Sequence, residues 1–309
     1  MSQARSFHES GLSADLPAAK PLLLYYAFMN LSKAYALTVG TRSTFDAARH
    51  GLRPSPQGLS GLAGSVDAFQ SLDRLNLFDE FLYALTGSRL PALQTYPVEE
   101  IMAQIVPGHR VWSQSPPVKR ERFIAVERVD VMHDKASKEL WLNLRVFADD
   151  LTRLGVTHSE LLSKSGLQNL FIEVDIEPGQ SDRRLLCFEQ VSPRTYRSRP
   201  SDEISDLVST VRDKLWTIVQ SIPPYRKYYL YMGPSAARGP LLPQLAAVYM
   251  LMFFLSTVTR YRPQEFDQIL AGQYGAFLRE FLASQPKQFL YLLASEFAQR
   301  EITLPAMVY

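Results

Sequence analysis

The spacing of apolar positions changes twice along this chain. From the start to about residue 106 the spacing is helical. Ser13 reads as the opening of the first long helix, with Pro21 early in it or at the start of a second, and Leu31, Tyr35 and Leu37 continue the apolar positions. Gly40 stands where a C-terminal cap belongs. Residues 51–64 (GLRPSPQGLSGLAG) are rich in glycine and proline and read as an irregular excursion. Helices resume over 76–86 and 97–105.

The middle of the chain alternates. Residues 123–133 (FIAVERVDVMH) and 139–148 (ELWLNLRVFA) read as strands, and the short polar link between them predicts a hairpin. Residues 171–176 and 183–191 repeat the design across EPGQSD, a Pro-Gly turn. Between the two hairpins, Thr157 and Glu160 have capping-box spacing ahead of Leu161 and Leu162, which predicts a short helix. Residues 227–232 (KYYLYM) supply a fifth strand.

Helical spacing then returns. Residues 202–220 read as an amphipathic helix whose first turn carries Asp202, Glu203 and Asp206, the charge that favours a helix N-terminus. Residues 241–260 are apolar all round, as a central core helix is. Further helices are expected over 263–271, 274–284 and 286–299. The expected fold is α+β: N- and C-terminal helices packed together around an inserted antiparallel sheet of about four to five strands. Its parts are a helical 1–106, a β-rich 107–200 and a helical 201–309.

The chain has 309 residues, of which 46% are hydrophobic and 21% charged, which excludes a disordered or coiled-coil chain. Its single cysteine, Cys187, excludes an internal disulfide and a C-x-x-C zinc site; set among Leu185, Leu186 and Phe188, it reads as an inert core thiol. The N-terminus has no basic region leading into a leucine-rich run, so no secretory signal is expected. The apolar run 245–258 is shorter than the ~20 residues that span a bilayer. A cytoplasmic protein without a membrane segment is expected.

Familiar enzyme signatures do not occur: neither a G-x-x-x-x-G-K-[ST] loop, nor G-x-S-x-G, nor H-E-x-x-H. No cofactor or metal is implied. Charge is more informative once it is divided. The total is 33 basic against 31 acidic residues, yet residues 183–262 hold 12 against 5, a net of +7, and the rest 21 against 26, a net of −5. The excess comprises Arg194, Arg197, Arg199, Arg226, Lys227, Arg238, Arg260 and Arg262, interleaved with Tyr196, Tyr225, Tyr228 and Tyr261. Arginine beside tyrosine suits phosphate contact and base stacking on a single strand of RNA or DNA. The same residues also fit solvated loop charges.

A second group lies on the first long helix. Tyr26, Asn30 and Lys33 fall at i, i+4 and i+7, hence on one face, either lining a pocket or pairing with neighbouring elements. His50, beside Gly51, is a candidate to join them.

These residues carry a family resemblance. PLLLYYAFMNLSKAYAL (21–37), followed by His50-Gly51-Leu52, resembles the N-terminal region of the YaaC-like proteins, which are bacterial. AAVYMLMFFLSTVTRYRPQEF (246–266) is similar to that family's C-terminal helix ending in Arg-Tyr-x-Pro. More weakly, Tyr25-Tyr26-Ala27, Lys33-Ala34 and the following His50 are similar to HEPN domains, helical modules of bacterial toxin and anti-phage systems. Three readings follow: from the basic block, a nucleic-acid-associated accessory protein in defence; from the HEPN likeness, a ribonuclease using His50 with Arg42 or Lys33; and, as a third, a structural subunit whose exposed helices dock a partner encoded nearby. The chain departs from the Arg-x(4–6)-His pattern of catalytic members: seven residues separate Arg42 from His50. The spacing is met only by Arg128 with His133 and by Arg153 with His158, which lie outside the expected helices.

Overall fold

The computed structural model describes residues 2–40, 42–56, 62–175, 183–233 and 241–304. In chain order its elements begin with α1 (Ser2–Ser13), α2 (Lys20–Val39), β1 (Leu52–Pro56), β2 (Gly64–Ala68), α3 (Leu77–Thr86), β3 (Gln94–Pro97), α4 (Val98–Ala103) and α5 (His109–Gln114). There follow β4 (Phe123–Asp134), β5 (Glu139–Phe147), α6 (Ala148–Leu154), α7 (His158–Lys164), β6 (Phe171–Val174), β7 (Leu185–Gln190) and β8 (Arg194–Thr195). The chain ends with α8 (Ser201–Arg212), β9 (Leu215–Val219), β10 (Arg226–Tyr231), α9 (Gln244–Tyr261), α10 (Pro263–Ala271) and α11 (Gly275–Ala298). Two compact units form, residues 1–119 with 238–309, and residues 120–237.

The first unit is built on α9. Every residue from Gln244 to Ser256 is buried, because α2, α3, α4, α10, α11 and β1 all pack against this helix. N- and C-terminal helices therefore share one core. Phe28 of α2 stacks on Phe289 of α11 with ring centroids 4.0 Å apart. Pro21 lies in the first turn of α2, where its missing N–H costs nothing. Ser13 ends α1 rather than opening the long helix. Buried Gly11 of α1 lies so close to α2 that a Cβ there would sit 2.8 Å from Leu24.

Two further expectations for this unit are corrected. The glycine- and proline-rich stretch is not irregular throughout: residues 52–56 form β1, and Gly64 begins β2 of an antiparallel sheet ordered β1-β2-β3. Pro54 and Pro56 are tolerated because β1 is an edge strand. The helices expected on either side of residue 285 are one, α11, which passes through Pro286. Phe277, Phe281, Phe289 and Leu293 are buried on both sides of the proline, so packing outweighs the lost backbone bond.

The second unit is a seven-stranded antiparallel sheet, ordered β6-β7-β5-β4-β10-β9, with β8 added beside β5. The expected four to five strands are thus too few. The hairpin of β4 and β5 forms as expected, with Asp134 opposite Glu139, and β6 pairs with β7. The EPGQSD turn lies outside the described residues. The capping box at Thr157 and Glu160 is present at the start of α7. The long helix expected over 202–220 stops at Arg212. LWTIV, rich in β-branched and aromatic residues, leaves it to become β9, with Trp216 opposite Tyr229 of β10. Because β10 also pairs with β4, this unit reaches beyond 107–200 at its C-terminal end. One sheet face carries the core, including Ile124, Leu142, Leu144, Phe188 and Leu230, with Leu151, Leu161 and Leu207 from the helices. Cys187 is buried, and burial raises its thiol pKa, as befits an inert core residue.

Candidate functional site

The basic block of the sequence is not one patch. Arg194, Arg197 and Arg199 are exposed on β8 and the turn after it. Thr195 pairs with Glu139, and the Tyr196 amide donates to the Lys138 carbonyl at 3.0 Å. This places the three arginines against the β4–β5 turn, which adds exposed Lys135 and Lys138. None of these five cations forms an ion pair among the described residues. The neighbouring acids are engaged: Asp134 accepts from the Ala136 amide, Glu139 from the Ser137 hydroxyl, and Asp202 from Ser198 and Ser201. His133 Nε2 lies 2.7 Å from the Tyr196 hydroxyl, which anchors the strip. The two lysines were missed in the sequence because only the β8 pairing brings that turn to the arginines.

Arg226 and Lys227 lie elsewhere. Tyr228 is opposite Val126, so they stand level with the β4 bulge near residue 127. The β4–β5 turn is about six residues, ~20 Å, further along that strand. Tyr228 packs on the sheet core, whereas Tyr225 is exposed. Arg260 and Arg262 belong to the helical unit. Arg262 pairs with Glu265 at 3.3 Å, and Arg260 lies over the Tyr261 ring, 5.1 Å from its centroid. Arg238 lies outside the described residues.

In the helical unit His50 occupies a second basic place. Its Nδ1 is 2.6 Å from the hydroxyl of Tyr25, which is itself 3.5 Å from that of Tyr249. The imidazole is exposed, with one side against Tyr25 and Phe253, at centroid distances of 5.7 Å and 5.9 Å. Desolvation on that side, then the charges of Lys33 and Arg260, lower the His50 pKa. Burial raises the Tyr25 and Tyr249 pKa values, so both phenols stay protonated. Lys33 and Arg260 are thus the cations whose charge reaches His50.

The other expected partners do not join them. Arg42 pairs with buried Glu80 at 3.3 Å, in a network where Arg89 also binds Glu80 and Asp79. Tyr26, half-buried, stacks on Phe7 of α1, with Asn30 half-buried on the same face. It is Tyr25, one position away, that turns to α9 and His50. Arg128 pairs with Asp130, Arg153 with Glu121 and His158 with Glu173, so each member of the Arg-x4-His spacings is engaged separately.

A helical unit on one buried helix, interrupted in sequence by an antiparallel sheet unit with a basic edge, defines a two-unit α+β protein. The chain belongs to the YaaC-like protein family, whose model matches residues 1–297. Nothing in that match points to HEPN domains. No curated protein and no solved structure matches the chain. No helix among the described residues is long and apolar enough to cross a membrane.

Proposed function

We propose that this YaaC-like protein binds single-stranded nucleic acid, RNA or DNA, along the strip made by β8 and the β4–β5 turn. One observation carries the reading: Arg194, Arg197, Arg199, Lys135 and Lys138 meet on adjacent exposed segments without ion-pair partners among the described residues. Exposed cations without ion-pair partners suit backbone phosphates, and arginine adds bidentate contacts. Five phosphate contacts imply a slope of log K against log salt of about −3.5 for a single strand.

The test is fluorescence anisotropy with a labelled 20-nucleotide RNA and its DNA counterpart, from 50 to 200 mM salt. Binding that weakens steeply with salt, and at least tenfold in an Arg194→Gln/Arg197→Gln/Arg199→Gln variant, supports the reading. No binding at 50 mM salt, or binding indifferent to those substitutions, overturns it.

A further inference from the structure

We propose that Trp141 and Asn143 of β5 form a base-binding subsite on the sheet face that turns away from the core, where one base of a single strand stacks on the indole and meets the amide with its edge. This rests on the strip reading above and adds what the strip lacks, a contact with the base.

Strand pairing places the subsite. Leu140, Leu142 and Leu144 belong to the core of the sheet unit, so the residues between and beyond them, Trp141, Asn143 and Arg145, point to the other face. Register sets Met132 of β4 opposite Trp141, and sets Asp130 of β4 and Glu189 of β7 on either side of Asn143. Ile172 of β6 lies opposite Glu189 and is 52% exposed, and Val191, just after β7, is 48% exposed. Large apolar side chains thus stand uncovered on the face that carries the indole.

Three observations point to a base. First, the indole is held. Its Nε1 donates to a Glu189 carboxylate oxygen at 2.9 Å, which fixes a half-buried ring as a platform. Second, Asn143 is only 5% exposed, yet its Oδ1 has no hydrogen-bond partner among the described residues. A buried acceptor without a donor is costly, and a base edge with an amino group supplies one. Admitting that edge requires Arg145, two residues along β5, to rotate. Third, charge around the amide is balanced. Arg128 and Arg145 each pair with Asp130 at 3.0 Å, and Glu189 supplies the second carboxylate. Two guanidiniums and two carboxylates cancel, which suits an uncharged heterocycle rather than another phosphate.

The strip adjoins this face. Glu139, opposite Thr195 of β8, precedes Trp141 by two residues on the same side of the strand, ~7 Å along it. A backbone held by Arg194, Arg197 and Arg199 therefore passes close enough to lay a base on the indole.

The test uses the full chain and three single-stranded DNAs of one length, carrying adenine, unsubstituted purine or abasic sites. Of the three tryptophans, Trp112 and Trp216 are fully buried, so quenching of indole fluorescence reports Trp141. We expect adenine DNA to quench the parent and to bind at least about fivefold more tightly than abasic DNA. Purine DNA, without the amino group, should fall between the two. Trp141→Leu should lose the quench and most of the preference for adenine over abasic DNA, and Asn143→Ala should bind adenine and purine DNA alike. The proposal is overturned if the parent binds adenine and abasic DNA alike, if it binds adenine and purine DNA alike, or if Trp141→Leu keeps both quench and preference. The first two comparisons use the parent alone, so a substitution that fails to fold does not protect the proposal. Binding that follows the Arg194→Gln/Arg197→Gln/Arg199→Gln variant but ignores the bases removes this subsite and leaves the strip. A quench and base preference that survive that variant unweakened remove the strip and leave the subsite, and no binding at 50 mM salt removes both.

Discussion

The hydroxyl of Tyr25 and Nδ1 of His50 lie 2.6 Å apart, tying a buried phenol of the helical core to an exposed imidazole. Tyr25→Phe keeps the ring packing against Tyr249 and Phe253 and removes this bond together with the 3.5 Å contact to the Tyr249 hydroxyl. The expected cost is about 1 kcal/mol in urea unfolding. A loss of several kcal/mol would mean the phenol holds more than His50.

His50 makes stability depend on pH. Its pKa is lowered in the folded chain by desolvation and by Lys33 and Arg260. Between that lowered value and the ordinary ~6.5, the unfolded chain binds more protons than the folded one. Stability therefore rises with pH through this window and is lost as pH falls. The thermal midpoint should drop between pH 7 and pH 5, and His50→Gln should flatten part of that drop. Identical profiles for the two proteins would remove His50 as the cause.

Asp79 is the most committed carboxylate of the helical unit. Fully buried, it accepts from Arg89 at 2.7 Å and from the amides of Ser71 and Leu90. Asp79→Ala leaves two amides without their acceptor and Arg89 with Glu80 alone, an expected loss of about 3–5 kcal/mol. Chemical denaturation measures it, and a cost below about 1 kcal/mol would contradict the network's role.

If the β4–β5 turn and β8 act as one strip, Lys135→Gln/Lys138→Gln should weaken single-strand binding as the arginine substitutions do. The salt slope should become shallower by about 1.4 for two lost phosphate contacts. An unchanged slope would confine binding to the arginines.

Local chemistry wrote much of this fold into the sequence. The β4–β5 hairpin follows from alternation around a polar turn, α7 from the Thr157–Glu160 capping box, and the core position of α9 from a run without charge. Where reading failed, packing or pairing overrode composition. Pro54 and Pro56 sit in a strand because that strand is an edge, and Pro286 sits inside a helix because both halves of α11 share one core.

The candidate sites divide in the same way. The sequence by itself determined the family, the mixed helix-and-strand class, the basic excess of residues 183–262, and Lys33 and His50 as residues to watch. Only the tertiary structure decided which charges meet. It dispersed the basic block among the β8 edge, the start of β10 and the end of α9, and brought Lys135 and Lys138 to the arginines through one backbone pairing. It sent Arg42 to Glu80 and gave His50 a hydrogen bond with Tyr25. Helical spacing and capping act over a few residues and can be read locally. Which charges share a surface depends on strand pairing and helix packing between residues far apart in the chain, and no local pattern encodes it.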